Sequence, residues 1–344
     1  MRVNKAALAR VSLALVAVIF LTGSLHQIRK GGSSAPDFAC SSNARAEVNI
    51  PIANGATGSA IAQQLLNAGV VKSSTAFFRV AVSDNRSSRI APGVHRIERE
   101  ICAAQALDQL LDPERIIGLI KISEGAWNDE IFKALSKSGF DRAEIKDAAA
   151  NVVLPQGFSY LEGLLFPAQY SFAPSATASD AIELMLERGK REISRSGIAA
   201  SGGDYSPSQL LVMASIIQAE GDTKDFAQVS RVIRNRLALG MPLQMDSTVH
   251  YIKKVRGEIF LSTQSTLLKS PYNTYSKTGL PPGPIGNPGF DAMYGAANPA
   301  NGDWLYFITV APGDTRFTNS FDQFNKWKLE YKRNLRDGLF RSKK

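Results

Sequence analysis

The sequence predicts an α+β chain with two bodies carried behind an N-terminal apolar segment. Three observations point there. An alternating strand pattern passes through a glycine into an amphipathic helix twice, over residues 48–65 and 120–135. Helix signatures then follow one another over residues 178–194, 206–220 and 225–239. A strand pair around Ala-Pro-Gly-Asp precedes a last helix. With 344 residues and 44% apolar content, the chain is long enough for roughly two domains with sizeable cores.

The N-terminus carries Arg2, Lys5 and Arg10, then a run of 15 uncharged residues from Val11 to Leu25. With Leu8 and the preceding alanines it approaches the roughly 20 residues a bilayer requires. We expect a cytoplasmic tail over 1–10, a membrane helix over 11–28 and an extracytoplasmic body, by the positive-inside bias. A cleaved signal peptide is the alternative. Residues 29–46, rich in Gly, Ser and Ala, read as a linker.

Charge agrees with this layout. The chain carries +9 overall, of which residues 1–30 hold +5 and residues 325–344 hold +6, leaving −2 for the middle. A nearly neutral body with two basic ends argues against nucleic-acid binding, and the ends suit membrane or polyanion contact. Cys40 and Cys102 could pair in an oxidising compartment or remain free thiols, and spacing does not decide. Two cysteines and His26, His95 and His250, widely scattered, match no metal-ligand spacing.

In the two repeat copies, Gly55 and Gly125 precede Ile61 and Ile131 by six residues, and Gly69 and Gly139 follow eight residues later. Two copies are too few for a solenoid and suggest a duplicated small α/β unit. The first continues through a helix near 74–82 to a strand at 93–97, giving a βααβ order known among small glycan-binding modules. We place this domain at 47–115 and a second one at 116–335. After a helix at 141–150, residues 153–172 mix aromatics with prolines, glycines and a single acid, Glu162. Such a stretch suits a sugar groove or a packed loop. Residues 178–194 read as a surface helix and 201–205 as a hinge.

The most informative stretch is 206–251. Ser206 is a good N-cap and Pro207 suits the first helical position. Leu210, Leu211, Met213, Ala214, Ile216 and Ile217 make the helix apolar nearly all round, as in a buried helix. It ends at Glu220, before Gly221 as C-cap. A carboxylate there meets the negative end of the helix dipole and the desolvating Ile216 and Ile217. Both raise its pKa and would let it donate a proton near neutrality. The plainer alternative is a solvated glutamate. Next come an arginine-bearing helix, 225–239, stopped by Gly240, then the polar row Gln244, Asp246, Ser247 and Thr248. Residues 270–289 hold five prolines and four glycines in twenty positions, with Tyr272, Asn273 and Tyr275 among them, and read as an ordered binding loop. A hairpin over 304–319 and a helix with Phe324, Trp327 and Tyr331 lead into a basic tail at 336–344.

These motifs resemble the endolytic murein transglycosylases, the MltG or YceG-like family. The matching stretches are IPIANG at 50–55, SYLEGLLFPAQYSF at 159–172, ASIIQAE at 214–220, NRLALGMPLQMDSTVHY at 235–251 and the whole 270–289 loop. The resemblance implies one membrane anchor, a LysM-like βααβ domain and a YceG-like catalytic domain that cuts peptidoglycan glycan strands without water, leaving a 1,6-anhydro-N-acetylmuramic acid end. It implies Glu220 as the catalytic residue, with Gln244, Asp246, Tyr272, Asn273 and Tyr275 orienting the sugars or holding the loop. Neither metal nor diffusible cofactor is implied. Peptidoglycan synthases are candidate partners. Two departures matter: Gln218 stands where many members have a second glutamate, and Ala168 and Gln169 replace an Asp-Thr pair. A single carboxylate narrows the acid to Glu220, although Asp246 could supply a second one for hydrolysis. The rival class is a non-catalytic wall-binding scaffold. A Ser/His hydrolase is disfavoured by the absence of a G-x-S-x-G elbow.

Overall fold

The computed structural model describes residues 35–40, 45–53, 55–173, 175–200, 203–256 and 262–340. The expected membrane helix at 11–28 lies outside them, as do most of the linker and the last four residues. No helix among the described residues is long and apolar enough to cross a membrane. The chain divides into two compact units, one up to Ile117 and one from Gly118 onward.

The first unit begins with β1 (Glu47–Ile52), α1 (Gly58–Asn67), α2 (Ser74–Ser83) and β2 (Gly93–Glu98). Thr57 and Ser73 cap the two helices by accepting N–H bonds from Ala60 and Ala76. β1 and β2 pair antiparallel from Glu47–Glu98 to Ile52–Gly93. α3 (Ala103–Leu111) follows, and β3 (Ile116–Ile117) adds to β2. Ile50, Leu65, Phe77, Ile97, Leu107 and Leu110 fill the core, each almost wholly buried. Cys40 and Cys102 form a disulfide, which fastens the entering chain to the start of α3.

In the second unit, β4 (Leu119–Lys121) pairs antiparallel with β5 (Gln169–Ser171). Between them lie α4 (Asn128–Lys137) and α5 (Arg142–Asn151). The repeat glycines Gly55, Gly69, Gly125 and Gly139 all adopt positive φ, the backbone state that punctuates both copies. α6 (Ala178–Arg195) is a surface helix as its charge suggested, with its outer face exposed and its inner face packed. It buries Ala181, Ile182, Met185 and Ile193 against the core, and Gly189 lets it approach the Leu164 carbonyl. The chief element is α7 (Pro207–Glu220), in which every residue from Leu210 to Ile217 is buried. Each large apolar side chain there contributes roughly 1.5–3 kcal/mol on leaving water. Ser206 closes a capping box with Gln209.

Beyond it come α8 (Phe226–Ala238), α9 (Asp246–Lys253), the single turn α10 (Thr263–Thr266) and α11 (Phe290–Ala297). The hairpin is β6 (Tyr306–Ala311) with β7 (Asp314–Thr318), and α12 (Phe321–Arg336) closes the unit. Helices α8, α9 and α11 all pack on α7. α12 buries no residue fully. It turns Phe324, Trp327 and Tyr331 inward and Lys326, Lys328, Lys332, Arg333 and Arg336 outward.

Candidate active site

The 270–289 loop is irregular but not loose, because α7 fastens it. Ser215 accepts the Ile285 N–H at 3.0 Å and Gln218 accepts the Gly289 N–H at 2.8 Å. The residue at the departure from the paired glutamates thus serves as a neutral anchor for the loop. Asn273 is fully buried. Its amide donates to the Thr266 and Leu268 carbonyls, and its oxygen accepts the Tyr275 N–H. With its side-chain polar atoms engaged by the backbone, buried Asn273 holds the loop in shape, the second of the two roles that the sequence left open. Thr274, also buried, accepts the Met245 N–H at 2.9 Å and meets the Thr248 hydroxyl, so the loop grips the start of α9.

That start points at Glu220. The Ser247 N–H, in the first turn of α9, donates to Glu220 Oε1 at 3.0 Å, and the Ser247 hydroxyl lies close by. Glu220 ends a helix whose middle, Leu210 to Ile217, is wholly buried. Glu220 itself is half-buried. Burial raises its pKa, opposed by the Ser247 contacts and Arg236 and reinforced by the Asp246 charge. The sequence argument named two causes, the negative end of its own helix and desolvation by Ile216 and Ile217. The larger contribution is burial, and the facing N-terminus of α9 works against it. Gly221, the cap, is extended at φ −134° and gives its N–H to the Ile217 carbonyl.

Asp246 accepts a hydrogen bond from the Tyr275 hydroxyl. Burial and this bond raise the Tyr275 pKa and keep its phenol a donor. Asp246 and Tyr275 both act electrostatically on Glu220, so three of the predicted residues meet in one cluster. Gln244 stands beside it, exposed, with a positive φ of 51° that a non-glycine residue adopts only under constraint. Its N–H bonds to the Thr274 carbonyl. Tyr272 lies in a neighbouring aromatic group, 5.3 Å from the Tyr251 ring.

Several contributors escaped the sequence argument. Arg236, nearly buried, donates to the Leu305 and Leu243 carbonyls at 2.6 Å each and faces Glu220. Glu162 accepts from the Asn128 N–H at 3.0 Å, the Asn287 amide at 3.2 Å and the Tyr251 hydroxyl at 3.1 Å. Burial lifts its carboxyl from 4.5 to about 7. Its one legible signal was being the only acid in an apolar, aromatic stretch. Most of that stretch is packed core: Leu164, Leu165, Phe166, Tyr170 and Phe172 are buried, whereas Tyr160 is 41% exposed. A separate cavity of about 550 Å³ lies between α5 and α6 and holds none of these residues. Its walls, including Glu144, Asp147, Glu183 and Lys190, are the outer sides of two surface-facing helix stripes.

Fold and site define an α+β protein with a glutamate of raised pKa at the end of a largely buried helix. The chain belongs to the YceG-like family, which it matches over residues 50–330. The endolytic murein transglycosylase of Bacillus subtilis is 30% identical over 311 residues, covering 84% of this chain and 86% of that protein. The endolytic murein transglycosylase of Streptococcus pneumoniae is 28% identical over 321 residues, covering 83% of this chain but 58% of its own length. The crystal structure of a yceG-like protein from Listeria monocytogenes aligns with a TM-score of 0.55 at 25% identity, over 81% of this chain and 98% of that one.

Proposed function

We propose that this protein is an endolytic murein transglycosylase. It cuts the MurNAc–GlcNAc bond inside peptidoglycan glycan strands and ends strand growth with a 1,6-anhydroMurNAc terminus. The observation that carries the reading is Glu220: a half-buried glutamate with a raised pKa, at the end of a helix whose middle is buried, faced by the Ser247 N–H. Burial raises its pKa and so favours the protonated form that a general acid requires. Ser247 holds Oε1, and the other oxygen gives its proton to the glycosidic oxygen as the C1–O bond of MurNAc breaks. The carboxylate left behind then takes the proton of the sugar's own C6 hydroxyl while that oxygen bonds to C1. The nucleophile belongs to the substrate, so most of its entropic cost is already met. Asp246, Tyr275, Tyr272 and Gln244 orient the sugars.

The membrane anchor at 11–28 and an extracytoplasmic body fit this role. The Cys40–Cys102 disulfide supports an oxidising compartment. The βααβ order of the first unit supports a LysM-like glycan-binding module. The Glu220→Gln variant, incubated with purified sacculi, should release no anhydro-ended muropeptides by mass spectrometry while keeping its circular dichroism. Anhydro ends at the parental level would refute the assignment.

A further inference from the structure

Glu162 takes no part in the chemistry above, yet it joins three separate segments of the second unit. Oε1 accepts from the first backbone N–H of α4, at Asn128, and from Asn287. Asn287 is itself fully buried and bonds the Ala126 carbonyl, the Asn128 side chain and the Leu165 N–H. Oε2 accepts from the hydroxyl of Tyr251 on α9. The Tyr251 ring is wedged between Trp127, 5.9 Å away edge-on, and Tyr272 of the loop. The same short helix presents the Ser247 N–H to Glu220 from its other end.

We propose that Glu162 is a positioning residue for the proposed glycan cleavage: through Tyr251 it fixes α9, and α9 holds the Ser247 N–H on Glu220. The inference rests on the transglycosylase reading for its activity readout, but the contact chain stands by itself. A helix of two turns is stiff, so a shift of its Tyr251 end moves its first turn as well. Displacement of a catalytic contact by about 1 Å can cost roughly 100-fold in rate.

The carboxylate form is the positioning form. The groups facing Glu162 are Asn128 and Asp129 on α4, Tyr251 and Lys254 on α9, and Tyr272 and Asn287 on the loop. Oε1 already takes two N–H donors, so a proton lands on Oε2 and competes with the Tyr251 hydroxyl as donor. Cutting therefore declines as pH falls through about 7, where Glu162 titrates. It also declines as pH rises through the Glu220 pKa, which burial raises.

The test uses the full chain with soluble glycan strands over pH 5–8, plus hydrogen exchange of peptides covering residues 246–253. Glu162→Ala should slow anhydro-end formation at saturating glycan by roughly 10- to 100-fold, mostly in kcat, and speed exchange in α9. Glu162→Gln keeps the Oε1 acceptor but puts an N–H donor where Oε2 accepts the Tyr251 hydroxyl, so it should cut as slowly as the parent does at low pH and lose the acid limb of the profile. A Glu162→Ala rate equal to the parent's, or an acid limb that survives in Glu162→Gln, overturns the proposal. If Glu162→Ala does not fold, the Glu162→Gln profile decides. A parent that releases no anhydro ends refutes the proposed function instead, and the exchange arm still tests the coupling.

Discussion

Replacing Glu162 by glutamine should stabilise the second unit increasingly as pH rises from about 4.5 to 7. In the folded protein, burial holds the carboxyl protonated up to about 7, whereas its ordinary value is 4.5. Between those limits the folded chain keeps a proton that the unfolded chain has released. Stability of the parent therefore falls with rising pH across that window and levels off above it. At about 1.4 kcal/mol per tenfold change in proton affinity, the full interval amounts to about 3 kcal/mol. Glutamine carries no such proton, while all other titrations are shared and cancel in the difference. The three tryptophans, Trp127, Trp304 and Trp327, all follow Gly118, so intrinsic fluorescence reports this unit. Urea unfolding of both proteins at pH 4.5, 6 and 8 gives the stability gap directly. The gap should widen by about 3 kcal/mol toward pH 8. A gap that stays constant with pH would refute the burial argument, whatever its absolute size.

Two further changes test the packing. Gly189→Ala in α6 would place a Cβ 2.1 Å from the Leu164 backbone oxygen, which a rotamer change cannot relieve. Alanine's helix advantage of about 1 kcal/mol is outweighed. The melting temperature should drop by several degrees, in keeping with overpacking costs of roughly 1–3 kcal/mol. Cys102→Ala opens a cross-link between positions 62 apart in sequence. Chain entropy puts that loss at about 4 kcal/mol, read as a lower melting temperature by circular dichroism and reproduced in the parent by reduction.

The sequence revealed what local rules control. Ser206, Pro207 and an unbroken apolar run suffice to place α7 and its last residue, because caps and burial periodicity act within one helix. The repeat glycines were legible for the same reason. Glu162 was not, since its environment is assembled from Asn128, Tyr251 and Asn287, up to 125 positions away in the chain. Asn273 looked like a ligand because an amide among tyrosines can serve either a loop or a sugar, and only its burial separates the two. α6 read as a surface helix and is one, but the extent of its buried face depends on the core that covers it. In each case the deciding quantity is which non-local surface covers the residue.

In the proposed mechanism Glu220 acts first as acid and then as base, and its placement suits both roles. A group driven only toward the protonated form would give up its proton reluctantly. A group held only as carboxylate would have none to give. Here burial, the Asp246 charge and the negative end of α7 favour the acid, while the Ser247 N–H at the positive end of α9 and Arg236 favour the carboxylate. The net shift is upward, but the stabilisers of the anion are already in place and need no rearrangement when the proton leaves. Gln218 fits this balance. It anchors Gly289 through a neutral oxygen, whereas a glutamate there would put a second negative charge two residues from Glu220 and push its pKa higher still. The departure from paired glutamates thus leaves the loop fastened and Glu220 poised between its two protonation states.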